Sequence, residues 1–198
     1  MAITSVDLAL AGMKPPAYIS KALTGTLVAA RPVSLAYLAG SPGAFVAPTP
    51  GLAGAALTSY NGQIPFPAAS GNTHLARFSG VSSAQAGVLL LVDRLWHNSG
   101  FTITSTGAQT INSAALPARD ANGSTNGEQV LLGVEVSGAT GSGTPTITVS
   151  YTNSAGTAGR TATNTVATVA TSAAGTFYPI GLAAGDVGVR SVQTLPLS

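Results

Sequence analysis

Few residues in this chain can do chemistry, and they can be taken one at a time. The 198 residues hold six acids, eight cations, two histidines and no cysteine. The missing thiols exclude disulfides, thiolate nucleophiles and cysteine-based zinc sites together. The densest polar group lies in "LLLVDRLWHNSG", residues 89–100, where Asp93, Arg94, Trp96 and His97 interrupt a run of Leu and Val. Asp93 and His97 can act as an acid–base pair only on a helix, where side chains four apart are neighbours. On a strand they stand about 13 Å apart, at ~3.3 Å per residue.

The remaining motifs are weaker. "GSTNG" at 123–127 carries Thr125 where a nucleophile elbow needs Ser, and no strand immediately precedes it. "DANGSTNGE" sets Asp120, Asn122, Ser124 and Asn126 at alternate positions like the opening of a calcium loop. Its sixth position is Thr125 rather than Gly and its twelfth is Leu131 rather than Glu, so it reads as a polar loop. "GATGSGTP" lacks the Lys and the helix of a phosphate cradle. The six acids are so widely spread that a carboxylate pair at glycosidase spacing would need a coincidence of tertiary structure. The expectation is a non-enzyme with no cofactor and no metal.

Composition explains what kind of protein this is. Charged residues make up 7% of the chain, against about 25% in an ordinary soluble domain. Ser, Thr, Asn, Gln and Gly must therefore form most of the wetted surface, which suits a chain locked into a larger assembly. A hydrophobic content of 45% and a mean hydropathy of +0.37 exclude general disorder. The net charge of +2 comes from scattered Arg and only two Lys. There is no basic stripe for a phosphate backbone, so no direct nucleic-acid contact is expected. No apolar run approaches the ~18 residues of a membrane span, and the start lacks the basic region of a signal peptide. Synthesis and retention in the cytoplasm, without membrane contact, are expected.

Two regions differ in texture. Residues 1–80 hold eight of the twelve prolines, which disfavours long helices and central strands. They read as an extended, Pro/Gly-rich N-terminal arm with short strands near "LTGTLVAA" and "VSLAYLA". Tyr18, Tyr37, Phe45 and Phe66 recur along it as candidate anchors in apolar grooves. Whether the arm reaches neighbouring subunits or folds back on its own domain stays open. Residues 81–198 read as an all-β domain, sandwich or jelly-roll-like, with short Thr/Val/Ile runs between turns. In "TPTITVSYT" Ile147, Val149 and Tyr151 share one face, and "QVLLGVEVS" sends Glu135 away from Val130, Leu132, Val134 and Val136. "FTITS", "GRTATNTVATVAT", "GTFYPI" and "DVGVRSVQTL" complete the series. The run 84–97 is read as a central strand in preference to a helix capped at Ser82–Gln85, because it leads through a turn into "FTITS". Trp96 is expected in the core either way.

Four stretches, "LLLVDRLWHNSG", "LPARDANG", "VSYTNSAGTAGRTA" and "AGDVGVRSVQTLPLS", resemble a family of tailed-bacteriophage virion proteins over roughly residues 75–198. In that family a D-R-L segment, a P-x-R-like turn, an S-Y-T-N…G-T-A-G-R hairpin and a G-D-x-G-V-R-S tail follow in this order. The resemblance implies a β-sandwich module on the virion, a capsid decoration or cement protein contacting the major capsid protein or other virion proteins. Its implied state is a homo-oligomer, with a trimer favoured, made in the host cytoplasm and resident in the virion. A tail- or neck-associated receptor-binding module, taking glycans on exposed aromatics, is the alternative. Asp93, Arg94, Arg119, Arg160 and Arg190 are the candidate interface network, since guanidinium groups tie down carbonyls and carboxylates at a sandwich rim or subunit contact.

Overall fold

A computed structural model describes residues 4–22, 29–46, 51–66, 75–83 and 87–198 of the chain. Its elements in order are α1 (Val6–Gly12), β1 (Ser20–Lys21), β2 (Gly40–Ser41), β3 (Ala55–Ala56), β4 (Trp96–His97), β5 (Gln109–Thr110), β6 (Leu132–Glu135), β7 (Thr148–Asn153), β8 (Arg160–Asn164), β9 (Phe177–Gly181) and β10 (Val189–Leu195). The fold is nearly all-β and sandwich-like, built on a curled six-stranded antiparallel sheet in the order β5-β10-β7-β8-β9-β6.

The alternation read from the sequence puts one face of this sheet inside. Val149 pairs with Ala162, Tyr151 with Val192, Ile180 with Leu132 and Tyr178 with Val134. Paired residues share a face, so the apolar members of all five long strands converge on one core with Ile147 and Leu197. Thr148, Ser150, Thr161 and Thr163 line the opposite face. In β10 the buried residues Val189, Val192 and Leu195 fall three apart rather than two. Register shifts against β7, one between Val189 and Ser191 and one between Val192 and Thr194, account for that spacing. Gly127 shows why a side chain is excluded nearby: its φ is 80°, and a Cβ there would sit 1.9 Å from the Val189 carbonyl oxygen.

β8 ends sooner than the Thr-rich stretch suggested. The Asn164 side chain accepts from the Ile147 amide and donates to the Val166 carbonyl, turning the chain away. "FTITS" is a turn rather than a strand. The Ser105 amide donates to the Thr102 carbonyl, and the Gln109 amide group holds both polar backbone atoms of Thr102. The central strand expected over 84–97 is also corrected. Residues 84–86 lie outside the description, 87–95 form neither strand nor helix, and only Trp96–His97 pairs, with β3. A continuous apolar run resembles a doubly covered strand in sequence, but here residues 88–92 stay exposed and only Leu95 is buried.

The Pro-rich region has little regular structure, as its composition dictates. α1 is a single short helix whose Ser5 cap accepts from the Leu8 amide, and none of its residues is buried. "LTGTLVAA" falls almost wholly outside the described residues, and "VSLAYLA" forms turns with one bridge, Val33 to Thr176. That bridge fastens the region to the sheet. The Ser34 amide donates to the Gly175 carbonyl at 2.7 Å and the Phe177 amide to Pro32 at 3.0 Å. Further along, Leu57 donates to the Leu95 carbonyl, and Ala114 donates to Ala53. Contacts therefore cross position 80 repeatedly, and Leu38, Phe45 and Leu57 are buried.

Candidate functional site

The polar run that opened the sequence question meets β6, Tyr37, Phe45 and Tyr60 at one cluster. Arg94 forms an ion pair with Glu135 at 2.5 Å, with side chains 16% and 5% exposed. The same guanidinium donates to His97 Nδ1 at 3.0 Å and stands 5.1 Å over the centroid of the Phe45 ring. His97 Nε2 is 3.1 Å from the Tyr37 hydroxyl. Tyr37, Tyr60 and His97 each meet the Phe45 ring edge-on, with centroids 4.9 to 5.2 Å away. Such edge contacts are favoured by the ring quadrupole.

Electrostatics follow from this enclosure. Burial, reinforced by the Arg94 charge, pushes His97 down to about 4, while Glu135 acts in the opposite sense. Burial and Glu135 raise the Tyr37 hydroxyl to about 12. Both imidazole nitrogens are occupied, so His97 has no free lone pair for a substrate proton. Glu135 Oε1 is buried and makes no hydrogen bond among the described residues. The cluster has the chemistry of a clamp, holding Tyr37, Phe45 and Tyr60 against β6.

Three other polar networks stabilise the domain. Asp93 accepts from Arg119 through both oxygens, at 3.0 and 3.1 Å, and Arg119 also reaches the Leu57 carbonyl. Asp93 is thus committed to Arg119, and the acid–base pairing with His97 weighed from the sequence does not form. Asp120 accepts from the amides of Asn122, Ser124 and Glu128 and from the Ser124 hydroxyl. Burial opposes its charge, but these donors outweigh burial and hold the carboxyl well below its usual range. Its oxygens close a loop, and among the described residues no three His, Asp or Glu side chains gather as metal ligands. The third network is inside the sheet, where Asp186 accepts from Arg160, Tyr151 and Asn153 at 2.8, 2.5 and 2.7 Å.

Those three donors lower the Asp186 carboxyl from 3.8 to about 2, with Arg160 the largest influence. A carboxyl depressed on folding contributes stability that is present above its unfolded value and is lost as pH falls through its folded value. Circular dichroism of the sheet is therefore expected to hold to about pH 3, with loss following as pH approaches 2. Loss of the sheet signal already at pH 4.5 would show that Asp186 does not carry this role.

The candidate interface residues divide cleanly. Tyr18 and Phe66 are exposed, whereas Phe45 is buried and Tyr37 half-buried, both packed within the chain in the Arg94–His97 cluster. Asp93, Arg94, Arg119 and Arg160 make the intrachain pairs above, so they too are engaged within the chain. Arg190 is exposed and makes no hydrogen bond or ion pair among the described residues. Trp96 is half-buried and packs against the edge of the core, its Nε1–H donating to the Ala53 carbonyl at 2.9 Å. Sequence reasoning missed Glu135, Tyr60 and Asp186 as partners. A usable signal existed for the last. Arg160 faces Tyr151 in register on the inner side of the sheet, and an inward guanidinium requires an acid.

The clearest surface feature is the segment leading into the cluster. Val88, Leu89, Leu90, Leu91 and Val92 are all exposed, Val88 and Leu90 at 97% and 81%. No backbone hydrogen bond ties residues 87–92 to the rest of the described chain. No family model, curated protein or solved structure matches this chain.

Proposed function

We propose that the chain is a non-enzymatic virion structural protein, a capsid decoration or cement protein that stabilises the particle by bridging subunits. One observation carries this reading: five consecutive large apolar side chains, 88–92, are exposed on a backbone that makes no hydrogen bond among the described residues. A contiguous exposed apolar patch of this kind marks an interaction site, and an unpaired extended segment can add to a neighbour's sheet. The 7% charge content and the resemblance over 75–198 agree with it. Its partners are the major capsid protein or other virion proteins and further copies of itself, with a trimer favoured.

A glycan-binding module on a tail or neck is the second reading, favoured by the exposed ring of Tyr18. Trp96 does not serve it well, since its ring is half-buried and its N–H is committed. The deciding experiment is the copy number of this chain relative to the major capsid protein in purified particles. Hundreds of copies support the shell, whereas about a dozen or fewer would move it to the neck or tail.

Attachment is expected to survive salt, because apolar contact and backbone pairing supply it and few charges are available for screening. Particles washed from low to high sodium chloride should retain the protein. Release of most of it above roughly 0.5 M, where the Debye length is under about 5 Å, contradicts this mode of binding.

A further inference from the structure

His97 sits where residues 37–46 and 51–60 meet β6, and its hydrogen bonds allow only one protonation state. A guanidinium donates and never accepts. Nδ1, 3.0 Å from the Arg94 guanidinium, must therefore present a lone pair. The single ring proton is then on Nε2, donated to the Tyr37 hydroxyl at 3.1 Å. A second proton on Nδ1 would turn acceptor into donor and set two cations face to face. The groups around the ring are Tyr37 from the Pro-rich region, Arg94 from its own segment and Glu135 from β6, with the apolar Phe45 ring against it and Tyr60 on the Phe45 ring. Glu135 is the only anion among them, and its Oε2 is held by Arg94.

We propose that His97 is an acid-sensitive latch, whose protonation loosens the docking of residues 37–46 and 51–60 on β4 and β6 while the six-stranded sheet stays folded. The enclosure that holds the imidazole neutral lowers its affinity for protons from 6.5 to about 4. A histidine depressed in the docked state stabilises docking fully above its ordinary value, and that contribution drains away as pH falls from 6.5 to 4. At tenfold per pH unit the docked-to-undocked ratio falls about 300-fold in all between pH well above 6.5 and pH well below 4. Asp186, lowered to about 2, keeps the sheet's own network charged over the same range.

The test uses the full chain with His74→Gln, which leaves His97 as its only imidazole, and Trp96 as its only indole. Trp96 lies beside His97 in β4, so its emission reports docking, while far-ultraviolet circular dichroism reports the sheet. Between pH 7.5 and 3 the emission is expected to shift to the red with the sheet signal unchanged. His97→Gln keeps an acceptor for Arg94 and a donor for Tyr37 without titrating, and should remove the shift. Glu135→Gln takes away the anion that favours protonation, and should move the shift to lower pH. A shift that persists in His97→Gln and vanishes in Glu135→Gln would place the switch on the carboxyl and overturn the proposal. The imidazole C–H resonance of His97 gives an independent reading in the unmutated cluster: titration well below 6.5 supports the latch, and titration at 6.5 or above overturns it.

Discussion

Replacing Tyr151 by Ala is expected to cost the fold about 3–5 kcal/mol, the range for deleting a large aromatic from a packed core. Tyr151 is 0% exposed and pairs with Val192 and Arg160 on the two neighbouring strands. Its hydroxyl donates to Asp186 at 2.5 Å and accepts from the Ala183 amide at 2.9 Å. The substitution thus opens a cavity and strips two partners at once. A fall in melting temperature on the order of 10 °C should follow for a chain of this size. Tyr151→Phe keeps the ring and removes only the hydroxyl, for about 1–3 kcal/mol. Trp96→Ala is the informative contrast. The sequence expected a core tryptophan of equal weight, but the ring is half-buried with one hydrogen bond to Ala53. Its loss should cost about 2 kcal/mol. Urea titration of the three variants orders them, and a Trp96→Ala cost above that of Tyr151→Ala would mean the core is not centred on β7.

Period-two alternation made β6 and β7 legible from the sequence, because a strand with one wet and one dry face writes its orientation into its residue order. Leu132–Glu135 falls inside the stretch so read, and Thr148–Asn153 runs one residue past its own. The bulged spacing of Val189, Val192 and Leu195 was not legible, since three-residue spacing imitates a helix. The run 89–95 failed for a different reason. Hydrophobicity without alternation says that a surface wants covering, but not whether the cover is in the same chain. The clamp at His97 was out of reach too. Arg94 and Glu135 are 41 residues apart, and Tyr37 and His97 are 60 apart. No local period connects such pairs, and only tertiary folding brings Pro-rich turns against a strand edge. Composition did indicate that aromatics in an irregular segment must pack on something. For Tyr37 and Phe45 that something is this chain's own Arg94 and His97.

Leu89, Leu90 and Leu91 allow stability and association to be separated. All three side chains are exposed, and their backbone is unpaired within the described chain. Exposed positions of this kind contribute little to folding, so the triple substitution to Ser should leave stability unchanged within about 0.5 kcal/mol. In a partner's groove the same side chains would be worth about 1.5–3 kcal/mol each if fully covered. Even the lower end of that range sums to about 4 kcal/mol, or about a thousandfold in affinity. The measurement is co-sedimentation of the triple variant and the parent chain with particles lacking this protein, alongside thermal melts of both. The expected pair of results is an unchanged melt and lost sedimentation. Tyr18→Ser and Phe66→Ser, which remove the exposed aromatics of the Pro-rich region, should reduce binding less, because each deletes a single contact rather than a continuous strip. If the triple variant still bound as tightly as the parent, the strip would be idle and attachment would have to run through those aromatics or the Thr-lined outer face of the sheet. If its melt collapsed instead, residues 89–91 would be covered by their own chain in solution, and the case for a partner at this segment would fall with them.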